Sequence, residues 1–289
     1  MSLFDAYMMV DWSARSSPSP KKPSLDAIYV AFGSSSEAPR TRYYSTRVAA
    51  AAGMQALLDQ CLARRERVLC GFDFPFGYPA GFARRIGGSD SVFSVWNALS
   101  KRIKDNEKNE NNRFQVAGDL NRLFDGVGPF WGRPQKQEIR DLPSKGKLRH
   151  GTNHPAERRV VENYVKSTQP CWKLYTTGSV GSQSLLGIPI LQSFREAVPR
   201  IRIWPFETIE DATVVFAEIY PSLFDKVVQR LQSQMPDVPK DALQVAASVH
   251  YYSDADKTGL LRDMLEVPKR HAHANQITNE EGWILGVTV

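Results

Sequence analysis

Three acidic residues stand at the ends of runs otherwise built from large apolar side chains. Asp11 closes Tyr7-Met8-Met9-Val10, Asp73 closes Val68-Leu69-Cys70-Gly71-Phe72, and Glu218 follows Val214-Val215-Phe216-Ala217. By the two-residue period of a strand, Asp11 shares a face with Tyr7 and Met9, Asp73 with Leu69 and Gly71, and Glu218 with Val214 and Phe216. An ionised carboxylate in such surroundings is costly unless a cation, a metal or several donors compensate it. Three of them converging favour a divalent metal. Asp241 arrives differently, in the first turn of a helix whose Ala242, Val245, Ala246 and Val249 form an apolar stripe. The helix dipole favours an acid there on its own account, and a helix start after the last core strand also suits a metal ligand.

Asp11, Asp73, Glu218 and Asp241 are therefore the candidate catalytic and metal-ligating residues, and Mg²⁺ or Mn²⁺ is the expected cofactor. Such hard ions take a few carboxylate oxygens, retain waters, and need neither His nor Cys. Two of them close together can serve an in-line phosphoryl displacement. Secondary candidates are residues that could hold a substrate. Trp131 and Arg133, in Gly126-Val127-Gly128-Pro129-Phe130-Trp131-Gly132-Arg133, have the composition to stack a base and hold a phosphate, and equally that of a turn anchored by a buried Trp. Lys173 and the Gly178-Ser179-Val180-Gly181-Ser182 turn before a helix could meet a phosphate, or be an ordinary loop and cap. His150 and His154 flank a turn and His271 and His273 lie two apart, so neither pair has the spacing of a zinc hydrolase, and no glycine-rich phosphate-binding loop is present.

The elements that must position these groups read as follows. Tyr7 to Trp12, Ala27 to Phe32 and Arg42 to Arg47 are three short β-rich segments with Ser, Pro and Gly punctuation, an antiparallel meander whose first connection, Arg15 to Ser24, reads as a mobile surface loop. Ala49 to Arg65 has helical spacing, and Val68 to Asp73 returns as a buried strand. A helix between strands implies a crossover into parallel pairing, so the sheet should be mixed. Residues 80–199 read as a mainly helical insertion or lid, with helices near 90–104, 113–124, 156–166 and 182–197. Strands resume at 201–204 and 214–220, helices follow near 222–234 and 240–253, and 283–287 reads as a last strand. The chain of 289 residues is expected to form a single elaborated domain.

Charge is unevenly spread. Residues 101–169 carry 15 Lys and Arg against 9 Asp and Glu, whereas residues 170–289 carry 11 against 14. A basic middle third suits a polyanionic partner, and also suits a solvated helix end running into a polar loop. Three widely spaced cysteines, Cys61, Cys70 and Cys171, argue against disulfides and structural zinc. No window approaches the length of a membrane span, so the expectation is a cytoplasmic chain without a membrane partner.

Taken together, Val10-Asp11-Trp12-Ser13-Ala14, Gly71-Phe72-Asp73-Phe74-Pro75-Phe76-Gly77-Tyr78-Pro79, Glu218-Ile219-Tyr220-Pro221 and Asp241-Ala242-Leu243 resemble an uncharacterised domain family regarded as ribonuclease H-like nucleases, distant relatives of Holliday-junction resolvases. The resemblance spans most of the chain. It implies an α/β fold with a ribonuclease H-like mixed sheet, metal ligation by Asp11, Asp73, Glu218 and Asp241, and a nucleic acid or nucleotide substrate. The family pattern also has an Arg and an acid on an intervening helix, which Arg158 or Arg159 with Glu162 matches. Arg158 would then be a phosphate-binding or ion-pairing group. The ribonuclease H enzymes proper place a Glu on the first helix, and Glu66 lies at the far end of that helix.

The functional expectation is a metal-dependent nuclease or phosphodiesterase. Two alternatives share the pattern. An actin-like ATPase or sugar kinase also begins with a strand-borne Asp but needs glycine-rich phosphate hairpins, and Trp12-Ser13-Ala14-Arg15-Ser16 contains no glycine. A binding module with a relic acidic site, docking nucleic acid or a partner, would keep the basic charge without the chemistry.

Overall fold

The computed structural model describes residues 2–176 and 178–289. Its centre is a six-stranded mixed sheet. Strands β1 (Ala6–Asp11), β2 (Ile28–Ser34) and β3 (Arg40–Tyr44) form the antiparallel meander that the turn residues predict. Helix α1 (Arg47–Ala63), capped by the Thr46 side chain, crosses over to β4 (Val68–Phe72), which lies parallel to β1. The remaining strands are β5 (Ile201–Ile203) and β6 (Val214–Glu218), and the spatial order is β3-β2-β1-β4-β6-β5, with β4, β6 and β5 parallel to one another.

Between β4 and β5 the chain runs through helices α2 (Phe82–Gly87), α3 (Val92–Arg102), α4 (Arg113–Asn121) and α5 (Val180–Ala197). After β6 come α6 (Asp225–Gln234), α7 (Lys240–Thr258) and α8 (Leu260–Arg270). None of the helices among the described residues is long and apolar enough to cross a membrane.

Each face of the sheet has its own core. Val10, Phe72 and Phe216 point into one, with α1, α3 and α5. Tyr7, Met9, Leu69, Val215 and Ala217 point into the other, with α7 and α8. Helices on both faces explain why β1, β4 and β6 are near-continuous apolar runs rather than alternating ones. The glycines of the Gly71 to Pro79 run follow from close packing. A Cβ on Gly71 would meet the Met9 sulfur at 2.5 Å, and one on Gly77 would meet the Glu280 carbonyl at 2.1 Å.

Two expectations are corrected. The helix near 156–166 is a single 3₁₀ turn, Val160–Asn163. The Arg159 N–H donates to Glu162 Oε2 at 3.1 Å and the Val160 N–H to Glu281 Oε2 at 2.6 Å, so carboxylates meet backbone donors at its start. The strand expected at 283–287 is a tight turn touching the sheet at one parallel bridge, Glu218 to Ile284. The Trp283 indole N–H donates to the Val287 carbonyl at 3.0 Å and closes the segment on itself.

Candidate active site

The register of β1 and β4 pairs Val10 with Phe72, so Asp11 and the residue after β4, Asp73, emerge side by side at the carboxyl ends of adjacent parallel strands. Both follow the two-residue period onto the Met9, Leu69 and Gly71 side of the sheet. This is the point in the sheet where chain connections turn to opposite sides, the position at which open α/β sheets present their ligand crevice. The Trp12 N–H donates to Asp73 Oδ1 at 2.7 Å, tying the end of β1 to the end of β4. Gln183, from α5, donates from Nε2 to the Trp12 carbonyl and, at 3.4 Å, to Asp73 Oδ2. Neither Asp11 nor Asp73 has a cationic partner among the described residues.

Asp241 is brought in by the first turn of α7, the helix that packs on β1 and β2. Its Oδ2 accepts the Asp26 N–H at 2.9 Å, and Asp26 itself sits at φ 57°, in the left-handed region that short polar side chains tolerate. Burial raises the Asp11 pKa well above the ordinary carboxylate range, and the charges of Asp73, Asp241 and Asp26 raise it further. Burial pushes Asp73 up to about 7 against the Trp12 hydrogen bond that favours its ionised form, with Asp241 adding to the rise. Asp241 is raised by burial as well. Carboxylates held in this way bind either protons or a cation.

Asp11 and Asp241 border a cleft of about 810 Å³ whose walls also include Asp26, Arg15, Arg113 and Gln183, and Asp73 is tied to that wall by its bond from Gln183. The loop after β1 forms one side of it. Arg47, at the start of α1 and fully buried, fixes that loop by donating from Nη1 to the carbonyls of Ser13 at 3.0 Å and Arg15 at 2.8 Å, while its other nitrogens pair with Asp105. The Ser19 N–H adds a bond to the Ser45 carbonyl at 2.9 Å.

Glu218 stands apart from this group. Its register partner is Phe72, so it faces the Val10 and Phe216 side of the sheet, away from Asp11 and Asp73. Both carboxylate oxygens are taken by Arg159, at 2.6 Å and 2.7 Å, and Oε2 also accepts the Phe76 N–H at 3.3 Å. Arg159 further holds Glu162 through Nε at 2.8 Å. Burial works against the Arg159 charge, but Glu218 and Glu162 outweigh it, so the guanidinium pKa rises. The expected four-carboxylate cluster is thus divided into Asp11, Asp73 and Asp241 on one side and an ion-paired Glu218 on the other. Of the two arginines that match the family pattern, Arg159 makes the buried contacts. Arg158 donates to the Glu162 and Thr168 carbonyls of its own loop at 3.4 Å and 3.2 Å.

Of the remaining sequence candidates, the turn before α5 borders the cleft through Gly178, Ser179 and Ser182, whereas Trp131, Arg133, Lys173 and Arg158 do not. Trp131 packs against Gly146 and bridges to Lys173, and Arg133 donates to the carbonyls of Leu142 and Gln137. Lys173 Nζ reaches Gln169 Oε1 at 3.4 Å. Among the described residues, no three side chains of His, Cys, Asp or Glu stand together as a ready metal cage. The groups missed by sequence reasoning are Asp26, Arg113 and Gln183, which sit on a turn and on helices and carry no strand-end signature.

Comparisons of the chain with family models, with curated proteins and with solved structures return no match.

Proposed function

We propose that this chain is a divalent-metal-dependent nuclease or phosphodiesterase on a ribonuclease H-like framework, acting on a nucleic acid or nucleotide. One observation carries the reading: Asp11 and Asp73 lie side by side at the carboxyl ends of two central parallel strands, half-buried, mutually repelling, and without a cationic partner among the described residues. A protein retains such a pair at a cost unless the charges are used. The meander followed by a crossover into parallel strands, in the order β3-β2-β1-β4, agrees with the ribonuclease H-like framework.

The donor set fits Mg²⁺ or Mn²⁺. These ions bind through one or two carboxylates and keep several waters, so a complete protein cage is not required. Asp11 and Asp73 would hold the ion, with Asp241 beside them on α7. When bound, such an ion supplies Lewis acidity toward a phosphoryl oxygen. The chain supplies orientation. The Trp12 N–H and the Gln183 amide fix the Asp73 carboxylate, and Arg47 holds the loop that borders the cleft. Glu218 contributes through its ion pair with Arg159, which fixes the end of β6 beside the Phe74 to Phe76 turn.

The test is incubation of purified protein with Mn²⁺ or Mg²⁺ and single-stranded, duplex, hybrid and branched substrates. Metal-dependent cleavage that Asp11→Asn abolishes supports the reading. Intact substrates across the whole set reject it, and metal-independent, salt-sensitive binding would favour a binding module instead.

A further inference from the structure

Arg113 opens α4 and lies in the same cleft as Asp11 and Asp241, with only 6% of its surface exposed. A buried guanidinium normally meets a carboxylate. Arg113 meets only neutral oxygens: Nε donates to Ser182 Oγ at 2.9 Å, and Nη1 to Ser16 Oγ at 2.9 Å and Asn111 Oδ1 at 2.7 Å. Among the described residues, its Nη2 amino group has no acceptor. The nearby Asp105 is held by Arg47 at 2.5 Å and 2.6 Å. The Phe114 ring, 4.3 Å from the guanidinium carbon, fixes the plane of the fork.

We propose that Arg113, with Ser16 beside it, is a phosphate subsite of this cleft. A planar guanidinium with a free amino edge presents the paired donors that a phosphate oxyanion accepts. The first N–H groups of α5 are bonded to the carbonyls of Gly178, Lys173 and Ser179, so recognition falls on the Arg113 side chain and not on the helix end. Burial and the charge of Arg47 lower the Arg113 pKa to about 10, a penalty that a bound anion relieves. The anion site stands on these contacts alone. Its role as the seat of a substrate phosphate next to the one that reacts rests on the nuclease reading above.

The probe is inorganic phosphate, titrated calorimetrically into full-length protein in the presence of EDTA. Wild type is expected to bind it. Ser16→Asp, an exposed position where the new carboxylate can neutralise Nη1, is expected to weaken binding about tenfold, and Arg113→Lys, which keeps the charge and loses the fork, by a similar factor. Absence of binding to wild type, or unchanged binding in Ser16→Asp, overturns the subsite. Displacement of phosphate by a 5′-phosphorylated dinucleotide but not by its unphosphorylated counterpart identifies a monoester as its ligand, and displacement by both a diester. Displacement by neither overturns the substrate role. Arg113-dependent phosphate binding in a protein that cleaves nothing would leave the subsite standing and reject the nuclease reading, while cleavage without phosphate binding would do the reverse.

Discussion

Glu218 and Arg159 form a buried, two-pronged ion pair in which each carboxylate oxygen meets its own guanidinium nitrogen, at 2.6 Å and 2.7 Å, with the side chains 4% and 1% exposed. The pair links the end of β6 to the Val160–Asn163 turn, and through the Arg159 Nη1 bond to the Glu281 carbonyl it reaches the C-terminal segment as well. Removing the cation leaves Glu218 and Glu162 buried and uncompensated. Arg159→Met is expected to destabilise the fold by about 3–5 kcal/mol. Urea unfolding followed by far-UV circular dichroism measures this, and a loss below about 1 kcal/mol, the range of exposed pairs, would show that the pair is not desolvated as its burial implies.

The division of the carboxylates gives a second expectation that separates chemistry from architecture. Asp11→Asn and Asp73→Asn are each expected to lower metal-dependent cleavage by more than about 100-fold, because losing several kcal/mol of charge stabilisation costs a factor of ten per 1.4 kcal/mol. In EDTA their melting temperatures should stay at or above that of wild type, since each removes one of two repelling, half-buried charges. Glu218→Gln should show the opposite pattern: lower thermal stability, with activity per folded molecule within about threefold of wild type. Cleavage rates normalised to the folded fraction decide it. A Glu218→Gln protein that is stable and inactive would return Glu218 to the ion-binding set.

Much of this framework was legible in the sequence, and the reasons differ by element. The meander, α1 and the buried β4 announce themselves through short apolar runs with turn residues between them, and Asp11 and Asp73 stand out because a carboxylate interrupts a core strand. Strand period gives the face each shares with its own strand, but that the two faces coincide is set by the register of β1 with β4. Glu218 has the same local signature, but which side of the sheet it faces depends on its register with Phe72, a nonlocal quantity. The cations that compensate it were equally hidden, because Arg158 and Arg159 are neighbours and only the tertiary packing selects Arg159. Arg113 and Gln183 reach the cleft from helices separated by tens of residues, so no spacing in the chain connects them. The boundary between α7 and α8 carried a readable signal in Gly259, whose φ of 85° ends one helix and starts the next.

Gly77 tests the tight packing of the Gly71 to Pro79 run without touching a carboxylate. A Cβ there would lie 2.1 Å from the Glu280 carbonyl oxygen and 2.8 Å from the Glu281 backbone, atoms that cannot swing aside as a flexible side chain would. Gly77→Ala is expected to cost about 1–3 kcal/mol, the range for overpacking. Gly81→Ala is the matched comparison, because its Cβ would meet nothing within 4 Å and any penalty comes from its φ of 88°. Denaturant midpoints of the two variants measure the difference between a clash and backbone strain, and a Gly77→Ala protein as stable as wild type would mean the two segments separate readily.

The raised acidities make stability depend on pH in the opposite sense to an ion-paired carboxylate. In the unfolded chain Asp73 loses its proton near the ordinary value of 3.8, whereas in the folded protein it keeps it up to about 7. Between those limits the native state binds more protons than the unfolded state, so the stabilising contribution present in acid is lost as pH rises toward 7. Asp11 acts in the same direction. In EDTA, Asp73→Asn should therefore melt close to wild type near pH 4 and above it at pH 8, by about 2–4 °C for each kcal/mol relieved in a chain of this length. Mn²⁺ at pH 8 should reverse the order, stabilising wild type by mass action while leaving the variant little changed. Melting curves of both proteins at the two pH values, with and without metal, check each sign separately. A wild-type protein that is unaffected by Mn²⁺ at pH 8, yet shows the pH-dependent difference from the variant, would locate the repulsion correctly and remove the ion from the site.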